Sequence, residues 1–190
     1  MLRAQIKDTI LELVKGDITK QETDAIVNAA NTTLMGGGGV DGAIHNAAGG
    51  GLKAETRKIG RCDPGDAKIT GGYNLKAKHI IHTVGPIYKP NSIDNERVLA
   101  SAFRRSLELA AENRLKTIAF PAISTGIYGY PREQAAPISF RAIVEFAAQP
   151  EPNSVELVRF VLYDDEAYAD FVTSLRAMAA TDPRIVLEAE

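Results

Sequence analysis

Ala25-Ile26-Val27-Asn28-Ala29-Ala30-Asn31, followed by Gly36-Gly37-Gly38-Gly39-Val40-Asp41, is the stretch on which the fold reading turns. Ala25 to Val27 reads as a short buried strand, and Val40 to Ala48 as a short helix that starts on an acid. Between them lies a glycine run. Residues without side chains let backbone N–H groups come up against a ligand and curl around an anion. A second small-residue loop, Ser124-Thr125-Gly126-Ile127-Tyr128-Gly129, lies much later in the chain. Two such loops point to a clamp on a phosphate-bearing ligand, with flanking amides and a carboxylate to handle hydroxyls and water.

Outward from this stretch, short apolar runs alternate with helix-period segments, which argues for an α/β fold. Thr9 to Val14, Ala67 to Thr70, His79 to Val84, Thr117 to Phe120 and Val155 to Leu162 read as strands, with Leu2 to Ile6 as an edge strand. Leu99, Phe103, Leu107 and Ala110 mark the inner stripe of a helix over residues 94–113. Ala135, Ile138, Ala142 and Phe146 mark another, entered through Pro131 and bent at Pro137. A last helix turns Tyr168, Phe171, Val172 and Leu175 inward, and Asp164-Asp165-Glu166 suits the positive end of its dipole. Residues 181–190 read as a tail, with Arg184 to Leu187 as an added strand. There is no repeat, linker or low-complexity tract, so residues 1–190 read as one domain with a core over residues 9–180.

The bulk properties agree. A chain of 190 residues fits one domain, and 45% hydrophobic content is enough for a real core. No apolar run approaches the roughly 20 residues that span a bilayer. The charged N-terminus does not read as a secretory signal. Cys62 is the single cysteine, which excludes an internal disulfide and a C-x-x-C metal pair. A cytoplasmic monomer without membrane contact is the expectation. The net charge of −2 shows no basic excess, so nucleic acid is not an expected partner. An anion would be held by local backbone dipoles.

Gly37 to Gly42 match G-x-G-x-x-G, but Asn31 to Met35 separate the strand from the first glycine, and Asp41 would confront a pyrophosphate. A Walker loop is excluded because no Gly-Lys-Ser/Thr follows.

Several longer motifs carry a family resemblance. Gly16-Asp17-Ile18-Thr19, Ala25 to Asn31, Gly36 to Gly42, Ile80-Ile81-His82-Thr83-Val84-Gly85-Pro86 and Ser124 to Pro131 together resemble the macro domain, and within it the MacroD-type ADP-ribosylhydrolases. The resemblance runs from about Gly16 to Leu175. It implies a three-layer α/β/α fold with a mixed, mostly parallel central sheet and an ADP-ribose cleft over that sheet.

By the same resemblance, Asp17 accepts from the adenine amino group, with the backbone of Ile18 close by. On spacing alone Asp17 is equally a turn or helix-cap residue. Tyr163 matches the aromatic that stacks on adenine, while strand alternation turns Phe160 the other way. Gly38, Gly39 and Val40 grip the diphosphate from one side, and Ser124, Thr125, Gly126, Ile127 and Tyr128 from the other. Tyr128 walls the distal ribose, and Asn31 binds a hydroxyl of that ribose. Asp41 positions or deprotonates a water near the anomeric end, although in isolation it reads as a plain acid at a helix start. Asn28 is assigned to loop support.

His45, one turn after Asp41, makes a His–Asp pair conceivable; His79 and His82 read as structural. Cys62 reads as loop or core, and Ser124 has no evident base partner. No metal or cofactor is expected. The segment His45 to Leu52 is richer in glycine than the family pattern, and Asn46 stands where a basic residue is common, which leaves the firmness of the cleft rim open. The implied activity is hydrolysis of mono-ADP-ribosyl Asp or Glu on proteins, and of O-acetyl-ADP-ribose, to ADP-ribose. The alternative is a non-catalytic ADP-ribose reader.

Overall fold

Ala25 to Asn28 and Ile80 to Thr83 are buried without a break, the mark of a sheet covered on both faces. The computed structural model describes all residues, 1–190. Its strands are β1 (Leu2–Ile6), β2 (Thr9–Lys15), β3 (Ala25–Ala29), β4 (Ala67–Gly71), β5 (His79–Thr83), β6 (Thr117–Phe120), β7 (Leu157–Leu162) and β8 (Val186–Leu187). Its helices are α1 (Gly39–Ala48), α2 (Gly50–Ile59), α3 (Asp94–Glu112), α4 (Arg132–Ala147) and α5 (Asp165–Thr181). The strands form one sheet in the order β4-β5-β3-β6-β7-β2-β1-β8. From β5 to β2 neighbouring strands run parallel, and the outer pairings are antiparallel.

Alternation sorts the core into two layers. Ala25 and Val27 of β3, Ile118 and Phe120 of β6, and Val158 and Phe160 of β7 face α3, α4 and α5. Ile26, Ala119 and Val161, each next to one of these in its strand, face α1 and α2 with Ile44 and Leu52. The larger layer centres on Phe103, Phe120, Phe140, Phe160 and Phe171, all fully buried, with neighbouring ring centroids 4.9 to 5.9 Å apart. That spacing suits edge-to-face and tilted aromatic packing.

Two expectations change. β1 is not the edge: Ala4 pairs with Leu187 and Gln5 with Val186, so the two-residue β8 is outermost. A very short edge strand blunts a pairing surface that would otherwise lie open. Gly50 to Leu52, the end of the segment expected as a glycine-rich rim, open a helix, α2, that runs to Ile59. Leu52 and Thr56, one turn apart, are its buried side, and Gly60 closes it with φ +84°. This rim is packed rather than loose. A Cβ on Gly51 would lie 2.8 Å from the Tyr73 ring, and the Tyr73 hydroxyl donates to Glu55 at 2.7 Å.

α4 continues through Pro137, which has no N–H to return to the preceding turn. Asp164 caps α5 by accepting from the Ala167 N–H at 2.8 Å. No helix is long and apolar enough to cross a membrane.

Candidate active site

The carboxyl ends of β3, β6 and β7 open onto a cleft of about 440 Å³, the place where open α/β sheets bind ligands. That volume admits a nucleotide-sized molecule. Asn31, Gly38, Gly39, Val40 and Asp41 line one wall, and Ser124 to Tyr128 line the other. Tyr163, Asp164 and Arg132 line the end over β7 and α5. The two loops singled out in the sequence therefore face one another across a single cavity.

The glycine wall is built for close approach. Gly36 and Gly39 hold φ of +91° and +59°, in the left-handed region that side chains disfavour. A Cβ on Gly38 or on Gly126 would meet nothing of the chain within 4 Å, so those positions keep the cleft itself clear. Gly38 to Asp41 open α1, where the first N–H groups have no partner within the helix. Across the cleft, the N–H groups of Gly126, Ile127 and Tyr128 donate to no backbone acceptor. Ser124 sits at φ +67° and is tied by its hydroxyl to Pro86 O at 2.8 Å. Two sets of peptide donors make an anion cradle, and Arg132 is the one lysine or arginine among the residues lining the cleft.

Gly42 shows how tightly the loop is seated. A Cβ there would lie 2.4 Å from the Gly37 carbonyl oxygen, which is backbone and cannot swing aside. Gly42→Ala is therefore expected to displace the glycine loop, costing roughly 1–3 kcal/mol of stability and weakening anionic ligand binding. Urea unfolding and calorimetric titration of the variant check both effects.

At one end of the cleft Asn31 and Asp41 come together around Gly37. A Cβ on Gly37 would lie 3.2 Å from Asp41 Oδ2 and 3.6 Å from Asn31 Nδ2. Asp41 is only 6% exposed. Burial raises its pKa, opposed by a hydrogen bond from Asn28 and by the charges of His45 and Lys53. Asn28 Nδ2 donates to Asp41 Oδ1 at 2.8 Å, and His45 Nε2 stands 3.4 Å from the same oxygen. That leaves Oδ2 on the Gly37 side.

The loop bracing expected of Asn28 is carried by Asn31, which also lines the cleft. Asn31 supports the loop: Oδ1 accepts from Thr33 Oγ1 at 2.7 Å and from the Leu34 N–H at 3.1 Å, and Nδ2 donates to Gly36 O at 3.0 Å. One of its N–H groups remains for a ligand. Asn28 is fully buried and holds Asp41. The reason is alternation: Asn28 follows Ile26 on the face under α1, where Asp41 and Ile44 lie. Asn28 Oδ1 is buried without a partner, a cost of about 1–3 kcal/mol. Both N–H groups of the amide are used instead, one on Asp41 and one toward His82 Nδ1 at 3.1 Å.

Asp17 and Ile18 are not among the residues lining the cleft. Asp17 caps the 3₁₀ turn Ile18–Lys20, its Oδ1 accepting from the Thr19 N–H at 2.9 Å and from the Thr19 hydroxyl at 2.7 Å. It stays adjacent to the Tyr163 end, because the N–H of Gly16 donates to Leu162 O at 2.9 Å. Tyr163 itself is 84% exposed, whereas Phe160 is in the core. Arg132 is a lining residue that sequence reading missed. Asp170 at 2.8 Å and Glu166 at 3.0 Å hold its guanidinium, and only the fold brings those acids of α5 to it. Cys62 is buried, its thiol pushed up to about 11, mainly by burial, so it is not a poised nucleophile. Nowhere do three His, Cys, Asp or Glu side chains converge in a group that could hold a metal ion.

Residues 27–139 match the model of the Macro domain. The chain belongs to the macro domain family. It is 57% identical over 146 residues to a Xenopus laevis protein named ADP-ribose glycohydrolase MACROD2, covering 75% of this chain and 35% of that longer one. It is 50% identical over 163 residues to the O-acetyl-ADP-ribose deacetylase of Cronobacter turicensis, covering 83% and 91%. The Oceanobacillus iheyensis macrodomain, solved with ADP, superposes with a TM-score of 0.90 at 41% identity, over 95% of this chain and 97% of that one. Other relatives of comparable identity carry only the description "Macro domain-containing protein". The three-layer macro domain fold, with its mixed sheet, is thus shared with solved relatives.

Proposed function

We propose that this macro domain binds ADP-ribose and hydrolyses esters at its distal ribose. The substrates are mono-ADP-ribosyl Asp or Glu on proteins and O-acetyl-ADP-ribose. Water is consumed, and the products are ADP-ribose and the carboxylic acid. The observation that carries this reading is the meeting of Asn31 and Asp41 around Gly37 at one end of a peptide-lined cleft. The names of the Xenopus and Cronobacter relatives and the ADP in the Oceanobacillus structure point the same way.

In this reading the diphosphate lies between Gly38–Val40 and Ser124–Tyr128. The adenine stacks on Tyr163, with Asp17 Oδ2 and the backbone of Ile18 at its edge. The distal ribose meets Tyr128 and the remaining Asn31 N–H, and Asp41 Oδ2 directs the water. The chain acts without a cofactor, as a monomer in the cytoplasm.

Calorimetric titration with ADP-ribose, followed by product analysis on both ester types, tests the proposal. Tight binding with no product from either ester would make the protein a reader instead. For the Asp or Glu ester, turnover in ¹⁸O-labelled water shows which bond breaks: label in the released carboxyl means attack at the carbonyl, and an unlabelled carboxyl means attack at the anomeric carbon. Tyr163→Ala is expected to weaken ADP-ribose binding by roughly 1–3 kcal/mol, the usual worth of a stacked base. Unchanged affinity on titration would remove Tyr163 from the adenine site.

A further inference from the structure

We infer that His82, which does not line the cleft, is a positioning residue for Asp41, acting through the side-chain amide of Asn28; the inference rests on the hydrolase reading above. Asn28 and His82 face one another in register across β3 and β5. His82 is fully buried, and its Nδ1 lies 3.1 Å from Asn28 Nδ2. An amide nitrogen only donates, so Nδ1 must accept. The ring hydrogen then sits on Nε2, which lies 2.9 Å from Thr70 Oγ1. Thr70 passes its own hydrogen to Gly71 O at 3.1 Å. Donation runs one way along this ladder, from Asn28 on β3 through His82 on β5 to Thr70 on β4.

The ladder leaves Asn28 one orientation. Turning the amide over would set its carbonyl oxygen against both the Asp41 carboxylate and the His82 lone pair. Burial keeps His82 neutral, its pKa lowered to about 3, so Nδ1 remains an acceptor at neutral pH. The other Asn28 N–H is thereby aimed at Asp41 Oδ1, and Oδ2 is left on the Gly37 side to direct water. A core histidine that was merely satisfied would affect stability and leave the chemistry of the folded protein untouched.

The test compares wild type with His82→Leu, His82→Asn and Thr70→Val in ester turnover, with ADP-ribose titration of each. His82→Leu is expected to lower kcat by about 10–100-fold, the scale of a small misplacement of a reacting group, while KM and the ADP-ribose Kd stay within about twofold. His82→Asn restores an acceptor near the Nδ1 position and is expected to recover most of kcat. Thr70→Val frees the tautomer and is expected to lower kcat to a lesser degree. Nitrogen-15 NMR of wild type is expected to show Nδ1 bare and Nε2 protonated at neutral pH, a readout that needs no variant to fold. A wild-type kcat in folded His82→Leu, or a proton on Nδ1, overturns the inference. A wild type that turns over neither ester overturns the hydrolase reading first, so the two failures are distinct.

Discussion

Asp41→Ala is expected to bind ADP-ribose and to turn over almost none of its esters. A positioned base or water-orienting group contributes about 10²–10⁴-fold, and the loss should fall on kcat rather than KM. The geometry sharpens this expectation. Burial raises the Asp41 pKa and makes it a better base than a solvated aspartate, while Asn28, His45 and Lys53 work against protonation. Placement adds to basicity, because Oδ1 is occupied by Asn28 and Oδ2 faces the Gly37 side. Steady-state turnover of both esters, with titration of the variant, checks the outcome, and a wild-type rate would strip Asp41 of its role. Asp41→Asn separates chemistry from folding. Its amide oxygen still accepts from Asn28, but the buried charge is gone. A carboxyl whose folded pKa is raised favours folding in its protonated form, and that benefit is lost as pH rises through the folded value. At neutral pH Asp41→Asn should therefore be more stable than wild type and still inactive.

Stability should also fall in mild acid, and His82 should be the cause. Its pKa is lowered from 6.5 to about 3, first by burial and then by the neighbouring charge of His45. The unfolded chain takes up this proton near pH 6.5, whereas the folded chain does not until near pH 3. In that window the unfolded state binds more protons, so stability declines as pH falls. Between pH 7 and 5 the His82 contribution should amount to a loss of roughly 2 kcal/mol, at up to about 1.36 kcal/mol per unit. Protonation of Asp41, whose pKa is raised, acts in the opposite sense. The carboxyls of Asp17 and Asp182, held low by hydrogen bonds from Thr19 and Arg184, add their losses only nearer their ordinary value of 3.8. Urea unfolding at pH 7, 6 and 5, for wild type and His82→Asn, measures the effect. The variant's curve should be flatter, and parallel curves would assign the acid sensitivity elsewhere.

Much of this architecture is legible in the primary structure, and the exceptions have physical causes. Val155 to Leu162 announces a buried strand, and alternation along it sends Phe160 to the core and leaves Tyr163 beside the cleft. The same rule applied to Ile26-Val27-Asn28 places Asn28 beneath α1, so its bond to Asp41 was open to sequence reasoning. α2 is hidden because Gly49 to Gly51 mask a helix start; only Tyr73, brought over from the β4–β5 connection, accounts for the missing side chain at Gly51. The internal bonds of Asn31 depend on the turn its loop adopts, and the anchoring of Arg132 depends on where α5 comes to rest. Neither is written in local spacing.

The cradle of main-chain donors has a consequence for how such proteins diverge. A peptide hydrogen is inherited by every residue type except proline, so drift at Ile127 or Val40 can alter the contour of the cavity without deleting the contact. Lineages could thus rework what the mouth of the pocket admits while conserving, at little selective expense, the grip that holds the nucleotide.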